Sequence, residues 1–210
     1  MAQIIPSILT DSVSVAQSQL DRLAGLVDWI QIDLMDGHFV SERSISAEDA
    51  ARLQSPVSLE AHLMVAEPSR WWRGLPRDRY KRVYIHIEPL LEPADEIRAL
   101  RDAGFIVGLA NNLETPISAF EEYADMVDNI LFMSVSPGRQ GQPFNSAVLD
   151  KIRECVNQFP DIQIAIDGGV TEAQIEDIVR AGVDDIGIGS LISQAADPVP
   201  ILNNLRELLT

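Results

Sequence analysis

The sequence predicts a single α/β domain, residues 1–210, folded as a closed parallel (β/α)8 barrel. Eight short β-rich runs alternate with helical stretches along the chain, the order that builds parallel sheets with helices outside. The length, 210 residues, suits one large domain better than two and lies near the small end for a barrel of this kind. Hydrophobic residues make up 46% of the chain, enough for a sizeable core. A doubly wound open sheet shares the same alternation and is the competing architecture.

The strand candidates are Gln3–Leu9, Trp29–Met35, Val57–Val65, Arg82–Ile87, Phe105–Ala110, Asn129–Val135, Ile162–Ile166 and Asp185–Gly189. Asp11 or Ser12 is placed to cap a first helix that runs to about Leu23. The helices expected after the second and third strands are the weakest, because serine and proline crowd both regions. Glu92–Ala103 stops at Gly104, and Ser146–Phe159 stops before Pro160. Thr171 caps Glu172–Ala181, which stops at Gly182, and Asp197–Leu209 closes the chain with prolines near its start. Trp71 and Trp72 form a pair of the type found in cores and subunit interfaces, and a homo-oligomer is expected.

Composition narrows the functional classes. A formal net charge of −16 argues against a nucleic-acid partner or an anionic membrane surface. Lys81 and Lys151 are the only lysines. Cys155 is the single cysteine, so no intrachain disulfide can form, and a reducing, cytoplasmic compartment fits. The N-terminal MAQIIPSILT lacks the basic start of a signal peptide, and no run approaches the ~20 apolar residues of a membrane span.

Strand alternation then selects residues. In IQIDLMDGHF, Ile30, Ile32 and Leu34 take one face while Gln31, Asp33 and Met35 take the other. By the same rule Glu60, His62 and Met64 share a face, as do Tyr84, His86 and Glu88, and as do Gln163, Ala165 and Asp167. In (β/α)8 barrels chemistry sits where strands end and loops begin. Asp33 and Asp167 therefore face one another across a barrel mouth, with His62 between them in chain order. A lone buried histidine is more often a hydrogen-bonded core residue, and an aspartate before Gly-Gly is often a turn residue. Three such groups turned inward together weaken both bland readings.

Glycine-rich loops follow the last three strands: SPGRQGQPF (Ser136–Phe144), DGGV (Asp167–Val170) and GIGS (Gly187–Ser190). Glycine lets backbone N–H groups approach an anion, and the loops after strands seven and eight form a recurrent phosphate site in this fold. Gly138, Arg139, Gln140, Gly141, Gly168, Gly169, Gly189 and Ser190 are the candidate phosphate-binding residues. Plain turn chemistry is the alternative for each loop taken singly. Arg139 is the fixed positive charge in these loops, placed either to touch the phosphate or to face solvent.

These segments carry a family resemblance. PSIL (Pro6–Leu9), DWIQIDLMDGHFV (Asp28–Val40), HLMV (His62–Val65), MSVSPGRQGQPF (Met133–Phe144), IDGGV (Ile166–Val170) and GIGS occur in the order seen in ribulose-phosphate 3-epimerases, over nearly the whole chain. The resemblance implies a ribulose-phosphate-binding TIM barrel that interconverts D-ribulose 5-phosphate and D-xylulose 5-phosphate in the pentose phosphate pathway. It implies acid/base roles for Asp33 and Asp167, and a divalent metal (zinc, manganese, iron or magnesium) held by Asp33, His62 and Asp167. Ser7 matches the family's substrate-lining serine, and Met35, Met64 and Met133 match its inner methionines. His62 is expected to meet the substrate as well.

The chain also departs from the family pattern. Gln31 stands where a histidine ligand is usual, which implies a weakened metal or a metal-free centre. SERSIS (Ser41–Ser46) replaces a Pro-Asn continuation, Arg139-Gln140 replaces Phe-Gly, and Asn111-Asn112 replaces Asn-Pro. Two other readings stay open: an epimerase of another ketose phosphate, such as a 6-carbon one, and a phosphosugar-binding barrel without catalysis.

Overall fold

A computed structural model describes residues 2–139 and 141–209. Eight parallel strands close into one barrel in sequence order: β1 (Gln3–Ile8), β2 (Trp29–Met35), β3 (Ser58–Met64), β4 (Tyr80–His86), β5 (Ile106–Asn111), β6 (Asn129–Met133), β7 (Gln163–Asp167) and β8 (Asp185–Ile188). The pairing of β1 with β8 closes the ring and excludes the open sheet. The expected strands are all present, with no end shifted by more than two residues and β2 unshifted.

Helices cover the outside, and local sequence explains their ends. Ser12 caps α1 (Val13–Leu23), its hydroxyl accepting from Val15 N–H. One-turn helices α2 (Ala47–Ala50) and α3 (Ser69–Trp72) follow β2 and β3, where serine and proline crowd the chain. α4 (Pro93–Asp102) starts with proline at its first position, where a missing N–H costs nothing. After β5 the chain forms two 3-10 segments, Ile117–Ala119 and Glu121–Met126, instead of a regular helix. Phe120 breaks the run between them, with φ −125° and ψ 0°, and packs edge-on to Phe132 in the core at 6.0 Å. α5 (Val148–Gln158), α6 (Ile175–Arg180), α7 (Ser190–Ser193) and α8 (Val199–Glu207) complete the layer. Thr171 begins a 3-10 turn ahead of α6, its N–H held by the Gln174 side chain.

The main hydrophobic core lies between strands and helices, fed by alternate strand residues such as Ile30, Ile32, Leu34, Leu59, Ala61 and Leu63. Trp72 belongs to it, donating its indole N–H to Glu96 at 2.6 Å and packing edge-on to Phe105. The opposite strand faces fill the barrel interior in layers. Tyr84, Ala110, Leu131 and Ala165 form the middle layer. Gly108 makes room for it: a Cβ there would stand 2.1 Å from the Tyr84 ring. The floor is polar, with Arg82 beside Glu60, Asp185 and Tyr84.

Candidate active site

Register decides which inward residues meet. Asp33 pairs with His62 across β2–β3, Ser7 with Gln31 across β1–β2, and Met133 with Asp167 across β6–β7. Asp33 and Asp167 come from strands that are not sheet neighbours, yet one amide reaches both. Gln31 Nε2–H donates to Asp33 Oδ1 at 2.9 Å and to Asp167 Oδ2 at 2.8 Å. The His62 ring grips the same two oxygens, its Nδ1 standing 3.1 Å from Asp33 Oδ1 and 3.4 Å from Asp167 Oδ2. Gly187 gives Asp167 its space, since a Cβ there would lie 3.1 Å from Oδ1.

A cavity of about 450 Å³ opens above the carboxylates. Asp33 and Asp167 form its floor, Ser7, Met35, Met64 and Met133 its inner wall, and Gly168, Gly169, Gly189 and Ser190 one side. Gly138, Arg139 and Gly141 of the loop after β6 close the other side, while Gln140 lies outside the described residues. Leu9, Val135, Phe144, Thr171 and Gln174 also line it. Leu9, Val135 and Phe144 lie within the motif segments without being singled out there, whereas Thr171 and Gln174 lie outside them and arrive through loop folding. Gln31 and His62 are fully buried behind the carboxylates and do not line the cavity, so His62 reaches the site through Asp33 and Asp167. Arg139 donates to Glu42 of the loop after β2 at 2.6 Å.

Gly169 has a role in loop packing. Its φ is +63°, and a Cβ would meet Gln142 O at 2.6 Å and Phe144 N at 2.8 Å. A side chain at this position collides first with the backbone of the β6 loop, and only indirectly with a ligand.

Electrostatics follow from burial and from two acids sharing one spot. Burial raises the pKa of Asp33, and the charge of Asp167 raises it further. Burial would lower that of His62, but hydrogen bonds to Asp167 and Asp33 outweigh it and lift it to about 9. Behind His62 a chain of polar groups continues. His62 Nε2 lies 3.0 Å from His86 Nε2, and His86 Nδ1 lies 3.1 Å from Glu88 Oε2. Burial pushes His86 down to about 4. Burial opposes ionisation of Glu88, but hydrogen bonds from His86, Asn112 N–H and Thr115 bring it down to about 2. The alternation HIE at His86–Glu88 placed these two on one face; their link to His62 depends on the β3–β4 register and was not foreseen.

The ligand atoms of Asp33, His62 and Asp167 lie within 4.8 Å of one another, a donor set of two carboxylates and one imidazole that fits a divalent metal. Gln31 points an N–H group at this position, so it is not a fourth ligand in this arrangement.

Known proteins with the same pattern bear on what the site does. A family model for the ribulose-phosphate 3 epimerase family matches residues 3–193. A ribulose-phosphate 3-epimerase from Mycobacterium leprae is 33% identical over 97% of this chain and 93% of that protein. The cytoplasmic isoform from Oryza sativa subsp. japonica is 31% identical over 98% of this chain and 93% of its own length. The Bacillus subtilis enzyme of the same name is 30% identical over 98% and 99%. Among solved structures, a ligand-bound KGPDC from Streptococcus mutans superposes with a TM-score of 0.77 at 10% identity, covering 99% of this chain and 97% of that one. A 3-hexulose-6-phosphate synthase from Salmonella typhimurium superposes at 0.74 with 15% identity, covering 99% and 98%. At those identities the likeness concerns the fold alone.

Proposed function

Because the chain belongs to the ribulose-phosphate 3-epimerase family of isomerases, we propose that it inverts C3 of a 2-ketose phosphate, converting D-ribulose 5-phosphate to D-xylulose 5-phosphate. The observation that carries this reading is the pair Asp33 and Asp167, brought together from β2 and β7 at the floor of the cavity. C3 lies beside the C2 carbonyl. One carboxylate removes the C3 proton, and the electron pair passes into the carbonyl to give an enediolate. The other carboxyl delivers its proton to the opposite face of C3, so each turnover exchanges the protonation states of the two acids. The raised Asp33 pKa supports a pair that holds one proton between two like charges. Met35, Met64 and Met133 supply a polarizable, water-poor wall around the reacting carbon.

The phosphate is proposed to lie against Gly168, Gly169, Gly189 and Ser190, with the β6 loop closing over it and Arg139 at the rim. A divalent metal held by Asp33, His62 and Asp167 would supply Lewis-acid stabilisation of enediolate charge. With Gln31 in place of an imidazole, affinity is reduced and shifted towards oxygen-preferring ions such as manganese or magnesium. A cytoplasmic setting is proposed with the single cysteine in mind; no helix among the described residues is long and apolar enough to cross a membrane.

The test is isotopic. In heavy water, recovered ribulose 5-phosphate should carry deuterium at C3 and xylulose 5-phosphate should accumulate, at a higher kcat/KM than for a 6-carbon 2-ketose phosphate run in parallel. Exchange in neither sugar removes the epimerase reading and leaves a binding barrel. Chelator-stripped protein should lose activity and regain it with manganese, and Gln31→His should bind zinc at least ~10-fold more tightly by calorimetry. Full activity after stripping, unchanged by any ion in either protein, removes the metal.

A further inference from the structure

Two polar side chains behind the site, His86 and Glu88, have no part in the proton transfers just described and do not line the cavity. His86 ends β4 with its side chain buried, and Glu88 follows two residues later with its side chain partly exposed. Glu88 is anchored from the next connection: its Oε1 accepts from Asn112 N–H at 2.7 Å and from the Thr115 hydroxyl. That segment is itself tied down by Lys151, whose ammonium donates to Asn111 Oδ1, Asn112 O and Leu113 O at 3.0–3.2 Å. The second oxygen of Glu88, Oε2, faces His86 Nδ1.

The hydrogen-bond directions in this chain admit one consistent assignment. A carboxylate only accepts, so His86 must carry its proton on Nδ1. A neutral imidazole has one N–H, so His86 Nε2 is an acceptor. Burial of His86 and the Phe39 ring beside it, 4.9 Å between centroids, keep that ring from gaining a second proton by solvation. His62 Nε2 therefore carries a proton and donates it to His86. Nδ1 of His62 is left directed at Asp33 and Asp167, whether it offers a lone pair or shares a proton there.

Resting on the epimerase reading above, we propose that Glu88 and His86 are positioning residues for the reaction: Glu88, through His86, sets the orientation of His62 and holds the proton on its Nε2, and thereby fixes the placement of both acid/base carboxylates. The β5 loop, by holding Glu88, joins the same linkage. Loss of a group that orients a site histidine in this way lowers metal affinity or activity by about 10–100-fold in other proteins. Here the loss falls on kcat rather than KM, because neither residue touches the cavity.

The chain has only three histidines, His38, His62 and His86, and His38 is exposed, so long-range proton–nitrogen correlation spectra of the full-length labelled protein can be assigned by His38→Gln and comparison. Wild type should show His86 protonated on Nδ1 with Nε2 bare, and His62 protonated on Nε2. Glu88→Gln, near in size and folded by its melting curve, should disturb the His86 pattern and lower kcat about 10-fold or more, with KM for ribulose 5-phosphate within about twofold. Its affinity for manganese, measured separately by calorimetry, should fall alongside kcat. A proton on His86 Nε2 in wild type overturns the proposal, even where Glu88→Gln does not fold. So does a folded Glu88→Gln protein with kcat within twofold of wild type. Failure of wild type to turn over ribulose 5-phosphate would remove the substrate assignment and leave the ring-proton result to decide the linkage.

Discussion

The two ends of the barrel interior each bury two carboxylates and treat them in opposite ways. At the floor, Glu60 and Asp185 flank Arg82, which also donates to Tyr84 at 2.8 Å and lies over the Trp29 ring at 4.6 Å. Gln3 adds a bond to Asp185 at 2.7 Å. Arg82 is matched there by the hydrogen-bonded Asp185, with Glu60 Oε2 3.2 Å away, although Glu60 Oε2 and Arg82 Nε make no hydrogen bond. At the mouth, no arginine or lysine among the described residues pairs with Asp33 or Asp167; one amide and one histidine hold them, and a cavity of about 450 Å³ lies above. An arginine hydrogen-bonded there, as Arg82 is to Asp185 at the floor, would occupy carboxylate oxygens that the proposed proton transfers use. The same residue type is structural where its charge is matched and chemical where it is left adjustable.

Removing the floor cation should give the largest effect. Arg82→Met leaves Glu60 and Asp185 buried without a cationic partner and should destabilise the fold by about 3–5 kcal/mol in urea or thermal unfolding. Whatever remains folded should keep its kcat within a few-fold. Near-normal stability would erase the distinction between the two ends.

At the mouth the expectation reverses. Asp33→Asn and Asp167→Asn should each lower turnover by at least ~10²-fold, about 2.7 kcal/mol in barrier, with melting temperature held or raised. The rise would come from relieving like-charge repulsion. A folded double variant with near-normal turnover would sink the two-aspartate mechanism.

Glu60 sharpens the contrast through pH. Burial raises its pKa from 4.5 to about 8, opposed in part by Arg82. The folded state therefore binds the proton more tightly than the unfolded chain does. This contribution to stability is fully present below about pH 4.5 and is lost as pH rises through about 8. Glu60→Gln removes that loss, so variant and wild type should converge near pH 5 and the variant should gain at least ~1 kcal/mol by pH 8.5. A difference independent of pH would contradict the protonated floor.

The smallest effect is expected at the rim. The Arg139–Glu42 pair is exposed on the arginine side, 76% against 28%, and should contribute little to stability. Glu42→Gln frees Arg139 for the phosphate and should lower KM for ribulose 5-phosphate about twofold or threefold, while Arg139→Ala raises it. An unchanged KM in both would assign Arg139 to solvent.

Much of the site was legible because strand parity is local. Alternation alone turned Asp33, His62 and Asp167 inward, and strand-end glycines marked the loops that line the cavity. It also placed Glu60, His86 and Glu88 on inner faces, without saying what each meets. Gln31 was legible in direction, whereas its double hydrogen bond to Asp33 and Asp167 was not. The missing regular helix after β5 was illegible for a similar reason: Phe120 leaves helical geometry to bury its ring against Phe132, a contact distant in sequence.

The sequence by itself determined the alternation of elements, the cap at Thr171 and a first cap at Asp11 or Ser12, the inner and outer faces of each strand, and a motif series specific enough to indicate the family. Only the tertiary structure decided that β1 closes on β8, that Asp33 and Asp167 share one amide, that His62 is backed by His86 and Glu88, and that Arg82 sits between Glu60 and Asp185. The reason is physical. Which way a side chain points repeats every two residues and needs only its own strand. Which side chain it meets depends on register summed around eight strands and on closure of the ring, set by packing of the whole interior at once.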